Sequence, residues 1–163
     1  MSVLLARIDD RLIHGQVTVG WSRHLEPECI LLCNDDVSAD PWQGKVYAST
    51  VPPSISVIVC DRAEAAKLLM VEGGSRTILL TSSPADMLDL VRAGVSLPVV
   101  NVGGMHFVKG KAELHEFVWL DQGDLDKLRS LLEAGCRLVA QTVPGSRDIV
   151  IGAEALNTLE SRL

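Results

Sequence analysis

The chain has 163 residues, 47% of them hydrophobic and only 4% aromatic, which is enough for one domain with an aliphatic core. Its formal net charge is −6 and it has no long basic run, so it lacks the basic stripe by which proteins bind nucleic acid. It has no apolar window of about 18 residues, and the apolar run at its start is too short for a signal peptide. We therefore expect a soluble, cytoplasmic protein without a membrane span.

Short apolar runs alternate with helical patterns along the chain. Apolar, β-branched runs predict strands over 3–8, 29–33, 55–60, 77–81, 98–103, 116–120 and 136–143. Apolar spacing and capping residues predict helices over 15–26, 39–50, 61–74, 83–94, 121–135 and 152–163. The alternation predicts a single α/β domain over 1–163. We expect an open, mostly parallel twisted sheet of about seven strands with helices on both faces, and a C-terminal helix at about 152–163.

The four cysteines are more typical of buried thiols than of a metal site. They are Cys29, Cys33, Cys60 and Cys136, and no two of them form a C-x-x-C pair. They lie in predicted strands, where a reduced cysteine packs as a small apolar residue. A zinc site would need paired short spacings, so we expect no metal and no cofactor.

The segment "ARIDDRLIHGQVTVGW" (6–21) follows the first predicted strand and carries an unusual number of charges. In open parallel sheets, ligands lie outside the carboxyl ends of the strands, and Asp9, Asp10, Arg11 and His14 occupy such an end. The start of the following helix offers free N–H groups and a partial positive charge, which together suit an anion. The guanidinium group of Arg11 adds a donor fork that matches phosphate oxygens.

His14 is the candidate nucleophile of this loop. The helix start and Arg11 favour the neutral imidazole, whose free lone pair can attack phosphorus. Gly15 leaves room beside His14 because it has no side chain, and Asp10 could orient the ring or Arg11, or accept a proton. The loop thus predicts a site that takes a phosphoryl group onto His14 and passes it on without a metal. The alternative is that His14 is an ordinary capping or hydrogen-bonded polar residue.

Several neighbouring residues have two interpretations. Arg7 either contacts the phosphoryl group or faces solvent or pairs with Asp9. Gln16 either donates a hydrogen bond in the site or is an ordinary residue of a first helical turn. His106 either joins the rim of the site or is a solvated loop imidazole. Trp42 follows a proline on a polar segment, and we expect it to be exposed, as at a protein contact.

Two other classes of phosphate-handling protein fit the sequence poorly. Histidine phosphatases and mutases carry an arginine immediately before the nucleophilic histidine, whereas Ile13 precedes His14 here and Arg11 lies three positions back. The glycines of "NVGGM" (101–105) lack the G-x-G-x-x-G spacing of a dinucleotide site. We expect them instead to form a turn at the carboxyl edge of the sheet, close to the first loop.

The motif "RIDDRLIHGQVTVGW" (7–21) closely resembles the first loop of the IIB components of the sugar phosphotransferase system, of the mannose/fructose/sorbose class. Three shorter segments carry the same resemblance: "NDDVSADP" (34–41), "VPP" (51–53) and "NVGGMHFVKGK" (101–111). The likeness extends from about residue 2 to residue 144. The tail after Pro144 has no counterpart in it, and we expect an extra helix packed on the sheet or part of an oligomer contact.

The resemblance implies a role for each residue of the site. His14 corresponds to the phosphorylated residue, with Nδ1 as the attachment point, and Arg11 would stabilise the phosphoryl group with Asp10 as its neighbour. The candidate set is therefore catalytic His14, Arg11 and Asp10, phosphoryl-binding Gly15, Gln16 and Arg7, and a rim of Asp35, Gly103 and Gly104.

The resemblance also implies an activity and partners. A IIB component is a cytoplasmic protein-Nπ-phosphohistidine–sugar phosphotransferase. It takes the phosphoryl group from a phosphohistidine on the IIA component and passes it to a sugar that enters through the membrane components IIC and IID. The alternative is a regulatory module, in which phosphorylated His14 changes the affinity for a regulator without sugar transport. The sugar and the oligomeric state stay open.

Overall fold

A seven-stranded sheet forms the centre of the computed structural model, which describes residues 1–115 and 117–163. The strands are β1 Ser2–Asp9, β2 Cys29–Cys33, β3 Ser56–Cys60, β4 Arg76–Thr81, β5 Val99–Gly104, β6 Ala112–His115, β7 Val118–Leu120, β8 Arg137–Ala140 and β9 Ile149–Ile151. The order in the main sheet is β3-β2-β4-β1-β5-β8-β9. Its strand pairs are parallel except β8–β9, so the predicted fold class is confirmed.

Helices connect the strands. A π-helix, Gln16–Trp21, leads directly into α1 Ser22–Leu25, where one α-helix was predicted; the others are α2 Asp35–Ala39, α3 Pro41–Ser49, α4 Arg62–Met70, α5 Pro84–Arg92, α6 Gln122–Glu133 and α7 Ala153–Glu160. Side chains cap several of them as the sequence predicts. Asp61 accepts a hydrogen bond from the Glu64 N–H group, and Ser83 accepts one from the Asp86 N–H group.

Apolar clusters cover both faces of the sheet because the side chains of each strand alternate between them. In β2, Ile30 and Leu32 belong to one cluster, and Leu31 and Cys33 to the other. Trp21 packs into the smaller cluster beside Ile30 and is 6% exposed. This burial on both faces explains why the strand segments are almost continuously apolar.

The prediction that the cysteines are buried, reduced thiols is confirmed. The four cysteines are buried and free. Burial raises the pKa of Cys33 and of Cys60 to about 12, and nearby acidic groups disfavour each thiolate further. A thiol with a raised pKa forms little thiolate, so these side chains act as core residues rather than nucleophiles.

The structure differs from the prediction in the second half of the chain. The segment predicted as a strand at 116–120 does not join the main sheet: Val118–Leu120 pairs antiparallel with β6, and residue 116 lies outside the described residues. The seventh strand of the main sheet is β9, from the tail. Its three residues follow a loop containing proline, glycine and serine, and are too few for a clear pattern.

The predicted helix over 39–50 forms as α3, and a separate short helix, α2, precedes it. Asp40 caps α3 by accepting hydrogen bonds from the N–H groups of Trp42 and Gln43, and it separates α3 from α2. Trp42 is 73% exposed, as expected. The C-terminal helix forms as α7 and buries Leu156 and Leu159. No helix within residues 1–115 or 117–163 is long and apolar enough to cross a membrane.

The sheet order brings the loop after β1 next to the end of β5. β1 lies between β4 and β5, and Asp9, its last residue, pairs with Gly104, the last residue of β5. The N–H group of Asp10 donates to the Gly104 carbonyl at 3.0 Å. The first loop and the "NVGGM" segment therefore meet at the carboxyl edge of the sheet.

Candidate phosphoryl-transfer site

A buried ion pair lies beneath the loop. The side chains of Arg7 and Asp9 are completely buried, and Arg7 Nη2 donates to Asp9 Oδ2 at 2.8 Å. Arg7 Nη1 donates to Asn101 Oδ1 at 2.6 Å and to the Gln141 carbonyl at 2.9 Å. Burial lowers the pKa of Arg7, although the Asp9 carboxylate opposes this effect. Of the alternatives for Arg7, pairing with Asp9 is correct and exposure to solvent is wrong.

The guanidinium group of Arg7 lies between a glycine and an indole ring. A Cβ atom at Gly103 would lie 1.8 Å from Arg7 Cζ, so this space is open to Arg7 only because residue 103 has no side chain. Arg7 Cζ is also 5.8 Å from the centre of the Trp21 ring, within the range of a cation–π contact. Trp21 is held by its Nε1–H group, which donates to the Thr142 carbonyl at 3.0 Å. Gly103 therefore contributes to the site through Arg7.

Asp9 also orients Arg11. Arg11 Nε donates to Asp9 Oδ1 at 3.0 Å, and Arg11 Nη2 donates to Asp9 Oδ2 at 3.1 Å. Gln16 Oε1 accepts from Arg11 Nη2 at 2.9 Å and from Arg7 Nη2 at 3.1 Å. A third of the Arg11 side chain is exposed. The buried Asp9 carboxylate and the Gln16 amide thus hold the Arg11 fork with part of it facing solvent, as recognition of a phosphate requires.

The ring of His14 lies beside this network and is 19% exposed. Its Nδ1 is 2.8 Å from the Leu12 carbonyl, which only accepts, so Nδ1 carries a hydrogen. Its Nε2 is 3.4 Å from Gln16 Oε1 and 3.7 Å from Asp9 Oδ2. The nitrogen that faces the Arg11 network is therefore Nε2. Attachment at Nδ1, the expectation from the resemblance, requires the ring to turn about Cβ–Cγ.

The backbone around His14 is unusual. Leu12 has φ 58°, a left-handed conformation that is rare for leucine and costs about 1–3 kcal/mol. Its buried side chain and the hydrogen bond from its N–H group to the Asp9 carbonyl, 2.9 Å, hold it there. The helix start differs from the prediction, since the N–H groups of Val17 and Thr18 both donate to the His14 carbonyl. A Cβ atom at Gly15 would meet nothing within 4 Å, so the space beside His14 is open.

Asp10 occupies a different position from the one expected. Asp9, not Asp10, binds Arg11 and lies near the His14 ring. Asp10 binds His106 instead: Oδ2 accepts from the His106 N–H group at 2.7 Å, and Oδ1 is 2.5 Å from Nδ1 of its ring. Neighbouring residues at the end of a strand point to opposite sides, which explains why two adjacent aspartates have separate partners.

The expected rim residues lie partly at the site. A Cβ atom at Gly104 would lie 2.9 Å from Arg11 Nη2, so Gly104, like Gly103, makes room for a guanidinium group. Asp35 follows β2, which is separated from β1 by β4, about 10 Å away. Arg62 binds the Asp35 carboxylate through Nε and Nη2, at 2.9 and 2.7 Å, and holds its pKa below the usual value. The structure therefore brings the two glycines to the site but not the Asp35 side chain.

Asn101 and Gln141 lie at the site, although the candidate set from the sequence included neither. The side chain of Asn101 is 4% exposed and holds Arg7, and its Nδ2 donates to the Gln141 carbonyl at 3.3 Å. A signal existed for Asn101, because an amide inside the apolar run "VVNVGG" needs a buried partner. Gln141 acts through its backbone, for which the sequence carries no signal.

A cavity of about 320 Å³ opens beside Arg11. Its walls combine polar and aromatic side chains. It is lined by Arg11, Gln16, Gly104, His106, Phe107, Phe117, Trp119 and Thr142. The site therefore has an open side on which another molecule can approach.

Comparisons with known proteins identify the family of this chain. Residues 3–154 match the family described as PTS system sorbose subfamily IIB component, where PTS is the phosphotransferase system. The chain is 35% identical over 153 residues to the PTS system sorbose-specific EIIB component of Klebsiella pneumoniae, covering 93% of both. It is 36% identical over 148 residues to the PTS system mannose-specific EIIAB component of Escherichia coli K12, covering 88% of this chain and 45% of that protein.

Comparison of the fold with solved structures identifies the same family. The crystal structure of the IIBSor domain of the sorbose permease from Klebsiella pneumoniae superposes with a TM-score of 0.89 at 34% sequence identity, over 97% of this chain and 98% of that one. Sequence and fold agree over nearly the whole length, and the chain therefore belongs to the sorbose subfamily of the IIB components of the sugar phosphotransferase system.

Proposed function

We propose that this IIB component is a phosphocarrier in sugar uptake. His14 accepts a phosphoryl group from a phosphohistidine on a IIA component. It then passes the group to a sugar that enters through the membrane components IIC and IID, so the protein works at the cytoplasmic face of the membrane. The observation that carries the proposal is the half-buried His14 ring at the carboxyl edge of the sheet, with one nitrogen turned toward the Arg11–Gln16–Asp9 network.

In the first step, a ring nitrogen of His14 attacks phosphorus with its lone pair. A new N–P bond forms as the N–P bond of the donor histidine breaks, and no metal or cofactor is part of the scheme. Nε2 faces Arg11, and Nδ1 would do so after a turn of the ring. Nitrogen-15 NMR of the phosphorylated protein distinguishes the two attachment points.

The role of Arg11 in this scheme is to balance charge. Its Nε and Nη2 groups are bound to Asp9 and Gln16, so Nη1 is the group that can turn to the phosphoryl oxygens. A phosphocarrier must hold the phosphoryl group similarly in the donor and acceptor states, since only tighter binding of the transition state speeds the transfer. An open site with a partly exposed guanidinium group suits that requirement better than a closed cage of donors.

The first prediction tests this function directly. The purified protein is mixed with a phosphorylated IIA component carrying labelled phosphate, and mass spectrometry under mildly basic conditions locates the label. We expect the label on His14 and none on the His14→Ala variant, because that variant has no nucleophile. His24→Ala is the matched control, since His24 is an exposed imidazole on α1, and it should be labelled like the wild type.

Label on the His14→Ala variant contradicts the proposal. A second measurement adds membranes that contain the IIC and IID components and the sugar. Transfer of the label to the sugar supports a role in uptake. Retention of the label on His14, together with a changed affinity for a regulator, supports the regulatory module instead.

A further inference from the structure

A second imidazole is held beside the His14 network. The Asp10 carboxylate binds both the backbone N–H group and the ring of His106, at 2.7 and 2.5 Å. Because a carboxylate only accepts, the Nδ1 atom of His106 carries a hydrogen. The backbone of Asp10 is itself bound to Gly104, at 3.0 Å, so the pair is fixed to the ends of both β1 and β5. This arrangement fixes the orientation of a side chain that is 58% exposed.

His106 shares a cavity with the groups that surround the His14 ring. Arg11, Gln16 and His106 line the same opening of about 320 Å³. Gln16 also borders the His14 ring, since its Oε1 atom is 3.4 Å from His14 Nε2. Arg11 and His106 therefore face the same cavity as Gln16, and Gln16 connects that cavity to the His14 ring.

The charged side chains at the site have no net positive charge to balance a phosphoryl group, and a protonated His106 would supply one. Arg7 and Arg11 are positive, and Asp9 and Asp10 are negative, so these four side chains carry no net charge together. A phosphoryl group on His14 would bring up to two negative charges to this neutral site. A protonated His106 neutralises Asp10 and leaves one net positive charge next to the incoming group.

We propose that His106 is a second phosphoryl-binding residue of this site, and this inference rests on the proposed function. Asp10 holds the His106 ring through Nδ1, and the Nε2–H group of the protonated ring donates a hydrogen bond to an oxygen of the phosphoryl group on His14. Asp10 is then a positioning residue that acts through His106. No covalent bond to His106 forms at any step.

Two substitutions separate this role from a structural one. In His106→Asn, the side-chain NH₂ group takes the place of Nδ1, so the bond to Asp10 is kept and the outer donor is lost. In His106→Gln, the NH₂ group takes the place of Nε2, so the outer donor is kept. We expect His106→Asn to accept phosphate from labelled IIA about tenfold more slowly than the wild type, or slower still, because a charge-assisted hydrogen bond is lost. The rate of His106→Gln should lie between those of His106→Asn and the wild type, because this variant keeps the outer donor but loses the positive charge and the bond to Asp10.

A second readout does not depend on rates. The protein with nitrogen-15-labelled histidine is phosphorylated with phosphoramidate, a small phosphoryl donor, and the ring nitrogens of His106 are followed by NMR. We expect the resonance of His106 Nε2 to move when His14 is phosphorylated. In Asp10→Asn this movement should be smaller, because the neutral amide holds the His106 ring less firmly than the carboxylate does. Urea unfolding of each variant verifies that the fold is intact.

The outcomes distinguish this inference from the proposed function. If His106→Asn is labelled at the wild-type rate, His106 has only a structural role and the inference is wrong, although labelling of His14 still supports the proposed function. If both variants are slowed equally, the NMR measurement on the wild-type protein decides. A His106 Nε2 resonance that does not move when His14 is phosphorylated overturns the inference, and one that moves supports it. Label on His14→Ala contradicts the proposed function itself.

Discussion

At the scale of single residues, the site depends on how Arg7 is buried. The sequence left exposure to solvent open as one alternative for Arg7. The structure buries Arg7 because Asp9 lies two residues later on the same side of the strand, and Asn101 faces it from β5. A buried charge is stable only with such partners. Partners within the same strand could be predicted, whereas the partner on β5 depended on the strand order.

The second prediction concerns the two kinds of glycine at the site. Gly103→Ala should lower the free energy of unfolding by about 1–3 kcal/mol, because the new Cβ atom would overlap the guanidinium group of Arg7, which has no free space to move into. Urea denaturation measures the difference. Gly15→Ala is the matched control: its Cβ atom would meet nothing within 4 Å and its φ is −51°. That variant should be as stable as the wild type, and equal stability of both variants would contradict the argument.

At the scale of secondary-structure elements, ionic contacts between α6 and α7 bind the C-terminal tail to the rest of the domain. Arg129 on α6 binds both carboxylate oxygens of Glu160 on α7, at 2.9 and 2.6 Å, and Gln122 donates to Oε1 at 2.9 Å. These hydrogen bonds, that of Arg129 first, lower the pKa of Glu160 to about 2. The contact is exposed, so its contribution is largest at low salt.

The third prediction is a dependence of stability on pH. The folded-state pKa of Glu160 lies below its ordinary value of 4.5, so its stabilising effect is complete above that pH and is lost as the pH falls toward about 2. The difference in free energy of unfolding between the wild type and Glu160→Gln should therefore shrink over this range at low salt. In a protein that already carries Arg129→Gln, Glu160→Gln should change the free energy of unfolding little at any pH. This comparison tests whether the effect of Glu160 comes from its pairing with Arg129. A difference that is constant with pH would contradict this assignment.

The elements that the sequence did not predict share a physical cause. The π-helix after Gly15 has only six residues, too few for its spacing of apolar residues to be distinguished from that of an α-helix. β6 and β9 have four and three residues, fewer than a reliable alternation needs. The longer strands and the helices capped by Asp61 and Ser83 were predicted because their signals are local and repeated.

At the scale of the whole molecule, β1 determines where the site lies. It is the central strand of the seven in the main sheet, and its neighbours β4 and β5 run parallel to it and end at the same edge. The rule that ligands lie at the carboxyl edge of a parallel sheet predicted this location from the alternation of elements alone. Which side chains face each other across that edge could not be predicted, since it depends on the register between β1 and β5.

The fourth prediction concerns how the tail completes the domain. β9 adds to β8 at one edge of the sheet, and α7 buries Leu156 completely. Leu156→Ala should lower the free energy of unfolding by about 2–5 kcal/mol, through lost burial and the cavity left behind. Leu163→Ala is the matched control, because that side chain is 46% exposed and its removal should change stability by less than about 0.5 kcal/mol. Equal urea midpoints for both variants would show that the tail does not belong to the core.

The π-helix Gln16–Trp21 has a consequence for the angular arrangement of side chains around its axis. An α-helix advances about 100° per residue, so residues five apart diverge by about 140°. A π turn instead joins residues five apart through its hydrogen bonds and stacks them one above the other. Gln16 and Trp21, which lie on opposite sides of an ordinary helix, thus both point at Arg7, one with an amide oxygen and the other with an aromatic ring. The wider turn therefore lets one short segment contact the Arg7 guanidinium group with two of its side chains.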